Sequence, residues 1–134
     1  MIKDIPQYTV EGVSVAVIKE LNKQGEQEWN VYLVNLKEDK IEGVLVTSTG
    51  YGQLEGETRK TTTLRHFLDE VKPKSFAKIE PIVEDVFGMN NEYWVSFYLN
   101  KVMYDKRYIF LPETIREENF TLVPVINKKG ILIG

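Results

Sequence analysis

The side chains of this chain best suited to holding a charged ligand fall between Gly50 and His66, in the run Gly-Tyr-Gly-Gln-Leu-Glu-Gly-Glu-Thr-Arg-Lys-Thr-Thr-Thr-Leu-Arg-His. Arg59, Lys60 and Arg65 supply cations, and Thr61, Thr62 and Thr63 supply hydroxyls. The apolar spacing that follows predicts a helix starting at the threonines. A helix N-terminus presents free amides and a partial positive charge, so a phosphate or carboxylate would suit these six residues. The spacing Gly50-x-Gly52-x-x-x-Gly56 matches neither the P-loop nor the dinucleotide fingerprint. The plainer reading of the segment is therefore a strand-to-helix loop with capping threonines.

Other candidate chemistry is sparse. His66 is the single histidine, and no HxH, HExxH or histidine–carboxylate cluster surrounds it in sequence. It reads as a partly exposed surface residue, with a general-base role as the sharper alternative. Glu80, Glu84 and Asp85 form an acidic group. On one strand, Glu80 and Glu84 would lie about 13 Å apart, too far for a retaining glycosidase pair. The chain has no cysteine, which removes disulfides, thiolate catalysis and Cys-based metal sites. No metal site, no cofactor and no catalytic residue is expected, and an enzyme is not the favoured reading.

The elements that would position these residues show mainly a period of two. Val13, Val15 and Val17 share one face of a strand in Val10–Ile18. Trp29–Leu36 is apolar on both faces and reads as a central strand. Lys37–Lys40 and Gln24–Gln27 read as turns, and Ile41–Thr49 as a third strand. Leu64, Phe67, Leu68 and Val71 fit i, i+3, i+4, i+7, which predicts a helix over about 61–72 stopped by Pro73. A further strand through Ala77–Phe87 carries Pro81, which demands a sheet edge or a bulge. Glu92–Leu99 and Val102–Leu111 form the clearest hairpin, turning at Asn100-Lys101. Thr114 and Glu117 have the spacing of a capping box, and Phe120–Ile126 with Ile131–Ile133 read as a closing hairpin. The expected class is α+β: a mostly antiparallel sheet of about six to eight strands, flat or curled, with one main helix packed on it.

Length and charge bound the function. The 134 residues form a single domain, 1–134, large enough to fold without staples. A net charge of −3 lacks the basic excess of nucleic-acid modules, so no nucleic-acid partner is expected, despite the aromatic hairpin. Met1–Pro6 has no apolar core of a signal peptide, and Val15–Ile18 is too short to span a bilayer. No membrane partner and a cytoplasmic location are expected.

Four stretches together resemble a family of short uncharacterised bacterial proteins: Trp29–Asn35, Arg59–His66, Ser75–Glu80 and Tyr104–Phe110. Some members of that family carry the label of the phenylalanyl-tRNA synthetase alpha subunit. A synthetase catalytic domain of that kind has a larger sheet with paired arginines for ATP, and no such motif occurs here. The resemblance therefore implies no catalytic residues.

The sequence thus leads to two expectations. The first is a cytoplasmic binding or self-association domain, whose second apolar sheet face is covered by a second copy in a homodimer or, alternatively, buried inside a curled monomer. The second is a binder of a small anionic ligand through Arg59, Lys60, Thr61, Thr62, Thr63 and Arg65.

Overall fold

A computed structural model describes residues 9–134, so the leader reading of Met1–Pro6 lies outside the described residues. The fold is nearly all β, and the α+β expectation is corrected: no α-helix occurs among the described residues. The strands are β1 (Val13–Leu21), β2 (Gln27–Asn35), β3 (Ile41–Leu54), β4 (Glu57–Lys60), β5 (Leu64–Val71), β6 (Ser75–Ile82), β7 (Asn90–Leu99), β8 (Val102–Phe110), β9 (Thr121–Val123) and β10 (Lys128–Ile133). Short 3₁₀ turns occupy Glu84–Val86 and Glu117–Asn119.

All pairings are antiparallel, in two five-stranded sheets rather than one curled sheet. The first has the order β6-β2-β1-β10-β9. In the second, β3 is the long central strand, with β7 and then β8 on one side and β4 and β5 sharing the other. Turn chemistry fits the sequence. Asn100 and Lys101 both adopt positive φ (50° and 65°), the two-residue turn whose twist matches a hairpin. Asn22 Oδ1 accepts from the amides of Gln24 and Glu26, closing the β1–β2 turn.

The inner faces of the two sheets form one core. Val15, Val17, Val31 and Leu33 from the first sheet meet Val44, Val46, Val95 and Phe97 from the second. Phe97 and Tyr104 stack with centroids 5.5 Å apart. The Tyr108 hydroxyl crosses between sheets to donate to the Val13 carbonyl, and burial raises its pKa. Asn35, fully buried, donates to the carbonyls of Asp39, Val71 and Lys72 and accepts from the Lys37 amide. It thereby ties the β2–β3 turn to the β5–β6 turn.

The predicted helix over 61–72 is strand β5. Leu45 faces Phe67, Val46 faces His66 and Ser48 faces Leu64. In this register His66 turns inward and Phe67 outward, where Phe67 is 67% exposed. An irregularity at Asp69, which has φ 62°, resets the phase so that Val71 returns to the core. The helical spacing of four residues was thus satisfied by a strand with a bulge. Thr, Phe and Val are poor helix formers and good strand formers, and edge pairing with β3 decided the outcome. The capping box is also absent: Thr114 Oγ1 donates to the Leu111 carbonyl, and the 3₁₀ turn at Glu117 has no side-chain cap.

The strand β6 lies at a sheet edge and carries a bulge as well. Val31 pairs with Glu80 and Tyr32 with Lys78, leaving Ile79 extra. That slip makes Ile79 and Glu80 both face the second sheet.

The outer face of the first sheet is covered by the chain itself. Val123, Val125 and Ile126 pack over Ala16, Ile18 and Val34. Gly130 permits this closure, since a Cβ there would sit 2.2 Å from the Val17 carbonyl oxygen. Replacing Phe97 by Ala should lower the unfolding free energy by about 3–5 kcal/mol, and Asn35→Ala by about 1–3 kcal/mol. Gly130→Ala should also destabilise strongly, because backbone must move. Urea midpoints measure all three, and an unchanged midpoint for Gly130→Ala would contradict the β1–β10 register.

Candidate functional site

A carboxylate joins four strands. Glu80 on β6 has a side chain only 14% exposed. Its Oε1 accepts from Ser48 Oγ of β3 at 2.7 Å and lies 2.7 Å from His66 Nε2 of β5. Its Oε2 accepts from the Tyr93 hydroxyl of β7 at 3.0 Å. A half-buried carboxylate is tolerable only with such donors. Tyr93 is held protonated: burial raises its pKa most, followed by the Glu80 charge and hydrogen bond.

The cluster forms the polar floor of a cleft of about 350 Å³. Ser48, Tyr93 and Glu80 meet there with Thr61 and Thr62, while Leu64, Ile82, Val83 and Val86 supply apolar wall. Gly50 fits this wall because a Cβ would lie 2.9 Å from Thr61 Cγ2. Its amide donates to Thr61 Oγ1 at 2.7 Å, and the Thr61 amide returns a bond to the Gly50 carbonyl at 2.8 Å.

The geometry is not a nucleophile–base relay. Ser48 Oγ and His66 Nε2 both address the same Glu80 oxygen, so that histidine nitrogen is committed to the carboxylate. Glu84 and Asp85 sit on the 3₁₀ turn after β6, not on one strand face with Glu80.

The six residues expected to hold an anion are scattered differently. The helix terminus that motivated them does not exist. Arg59 and Lys60 are exposed on β4, and Arg59 pairs with Glu57 at 3.1 Å. Thr61 and Thr62 reach the cleft, whereas Thr63 Oγ1 contacts Thr49 Oγ1 at 3.0 Å. Arg65 is exposed beside Thr47 on the outer face of the second sheet. Among the described residues no lysine or arginine lines the cleft.

A second surface lies on that same outer face. Phe67, Leu45, Trp94, Tyr98, Met103 and Ile109 alternate with the buried core residues and remain exposed. The Arg107 guanidinium lies 4.4 Å from the Trp94 ring centroid. A third polar cluster surrounds Glu20, which accepts from Asn30, Tyr32 and Lys128. Burial opposes its ionisation, but those partners outweigh burial and lower its pKa.

An unbulged strand turns Glu80 to the face opposite Ile79; Pro81, which demands an edge or a bulge, is the sequence signal that this alternation breaks. Comparison of the chain with known protein families, curated proteins and solved structures finds no match. No helix among the described residues is long and apolar enough to cross a membrane.

The raised Tyr93 pKa sets an alkaline limit. Below about pH 10 the residue is protonated in both states. Above it the unfolded chain loses this proton and the folded chain keeps it, so stability falls as pH rises. The slope owed to Tyr93 should approach about 1.4 kcal/mol per pH unit. Urea titrations between pH 9 and 11.5 should therefore show a shallower loss for Tyr93→Phe than for the unsubstituted protein.

Proposed function

We propose that this chain is a cytoplasmic binding domain that works by self-association, through the outer face of the second sheet. The observation that carries this reading is the unequal treatment of the two outer faces. On the first, Val123, Val125 and Ile126 cover Ala16, Ile18 and Val34 and leave Phe76 exposed near the β6 edge, whereas the second carries Phe67, Leu45, Trp94, Tyr98 and Met103 with no other segment among the described residues packed over them. Contiguous exposed apolar groups on a sheet face mark interaction surfaces.

A second copy is the occupant that fits best. A twofold interface places one patch against itself, so charges on the patch are best matched when both signs are present on it. Here Arg65 and Arg107 lie on the same face as Glu42, Glu92 and Asp105. Aromatic and methionine side chains at the centre with charges around them are also the composition of interface cores. Ligand-driven chemistry is not needed for this role.

Light scattering over a wide concentration range tests the proposal. The unsubstituted protein should show a dimer mass, and Phe67→Glu should give a monomer with an unchanged circular dichroism spectrum. Monomer mass for the unsubstituted protein at every concentration would end this reading.

A further inference from the structure

We infer that the Glu80 cleft is a binding site for a small amine with an aliphatic body, a site separate from the self-association face. Three features point to it. The first is charge: the cleft floor carries the Glu80 carboxylate, while among the described residues no lysine or arginine lines the walls. The second is unspent hydrogen-bonding capacity. A carboxylate offers about four lone-pair positions. Among the described contacts three are used: two on Oε1, by Ser48 and His66, and one on Oε2, by Tyr93. Oε2 therefore retains an acceptor position for an ammonium hydrogen. The third is the rim. Leu64 and Val83 are large apolar side chains left 48% and 61% exposed, and both flank the carboxylate as cleft lining.

Head and body thus have separate complements. An ammonium group meets a partly desolvated carboxylate, where a charge-assisted bond is stronger than at an open surface. A short alkyl chain would cover Leu64 and Val83 and remove apolar area from water. The cleft volume of about 350 Å³ lies within the range of small-ligand sites. It favours a free small molecule over a folded partner. The donors already on Glu80 hold its carboxylate in one orientation, so the site is formed before a ligand arrives.

The test is a titration of the full chain with n-hexylamine, n-hexanol and hexanoate at constant ionic strength, followed by amide chemical shifts of Ser48, Leu64, Glu80 and Tyr93. Hexylamine should bind saturably and more tightly than hexanol, by up to about fivefold, the gain expected of one partly exposed ion pair. Hexanoate should not bind. Shortening hexylamine to butylamine should weaken binding several-fold, up to about fourfold for each fully buried methylene removed. Glu80→Gln keeps the side-chain shape and should erase the preference for the amine. Should that variant fail to fold, Val83→Ser at the exposed rim decides the body contact, with a several-fold loss for hexylamine expected. Equal affinity for hexanol and hexylamine, or no saturable shift at these residues, overturns the inference. So does a perturbation confined to Phe67, Trp94 and Tyr98, which would mark the outer face instead.

Discussion

A strand sends its side chains alternately to two faces, and this chain has apolar side chains for both faces of both sheets. Everything else in the structure answers that constraint. The inner faces meet each other, which removes Val15, Val31, Val46 and Val95 from water completely. The outer face of the first sheet is met by Val123–Ile126, which return over Ala16, Ile18 and Val34. The outer face of the second sheet has no such cover within the described residues, and its aromatic content is higher. One helix on one sheet would have left the same problem on the far side of that sheet. Two sheets reduce it to a single remaining face.

The sandwich must also manage its edge where β5 and β6 leave one sheet for the other. Polar groups enter there. Glu80 gathers hydroxyls from β3 and β7 and the β5 imidazole, so a carboxylate of one sheet is held by three strands of the other. Such a junction adds direction rather than much net stability, because desolvating the carboxylate offsets most of the hydrogen-bond gain. What it achieves is a fixed polar floor in a cleft lined by Leu64, Ile82, Val83 and Val86.

The strand content was legible in the sequence wherever alternation ran unbroken. Val13, Val15 and Val17 do share the core face, the strand expected over Trp29–Leu36 is the internal strand β2 as far as Asn35, and Asn100-Lys101 turns the β7–β8 hairpin. The errors cluster at bulges. At Asp69 a reset of phase placed Val71 back in the core, and the resulting spacing of Leu64, Leu68 and Val71 imitates a helical stripe. At Ile79 a second reset turned Glu80 inward and converted an apparently solvated carboxylate into the centre of a cleft. A bulge depends on the partner strand's register, which one strand's residues do not encode. For the same reason the threonines at 61–63 read as a helix start, when they are the step by which the chain passes from β4 to β5 along one side of β3.

The alternation that creates the two candidate surfaces also separates them. Ser48 and Tyr93 point into the cleft, and their sequence neighbours Thr47 and Trp94 pair with each other on the outer face. Covering the outer face with a second copy therefore leaves the cleft open, and filling the cleft leaves the outer face available. A mutation at Phe67 or Trp94 acts on one surface and a mutation at Glu80 or Val83 on the other. The coupling between them must pass through the backbone of β3 and β7, whose inner side chains are close-packed and resist displacement. On this geometry the two proposed properties, self-association and amine binding, would be additive, each using one face of the same two strands.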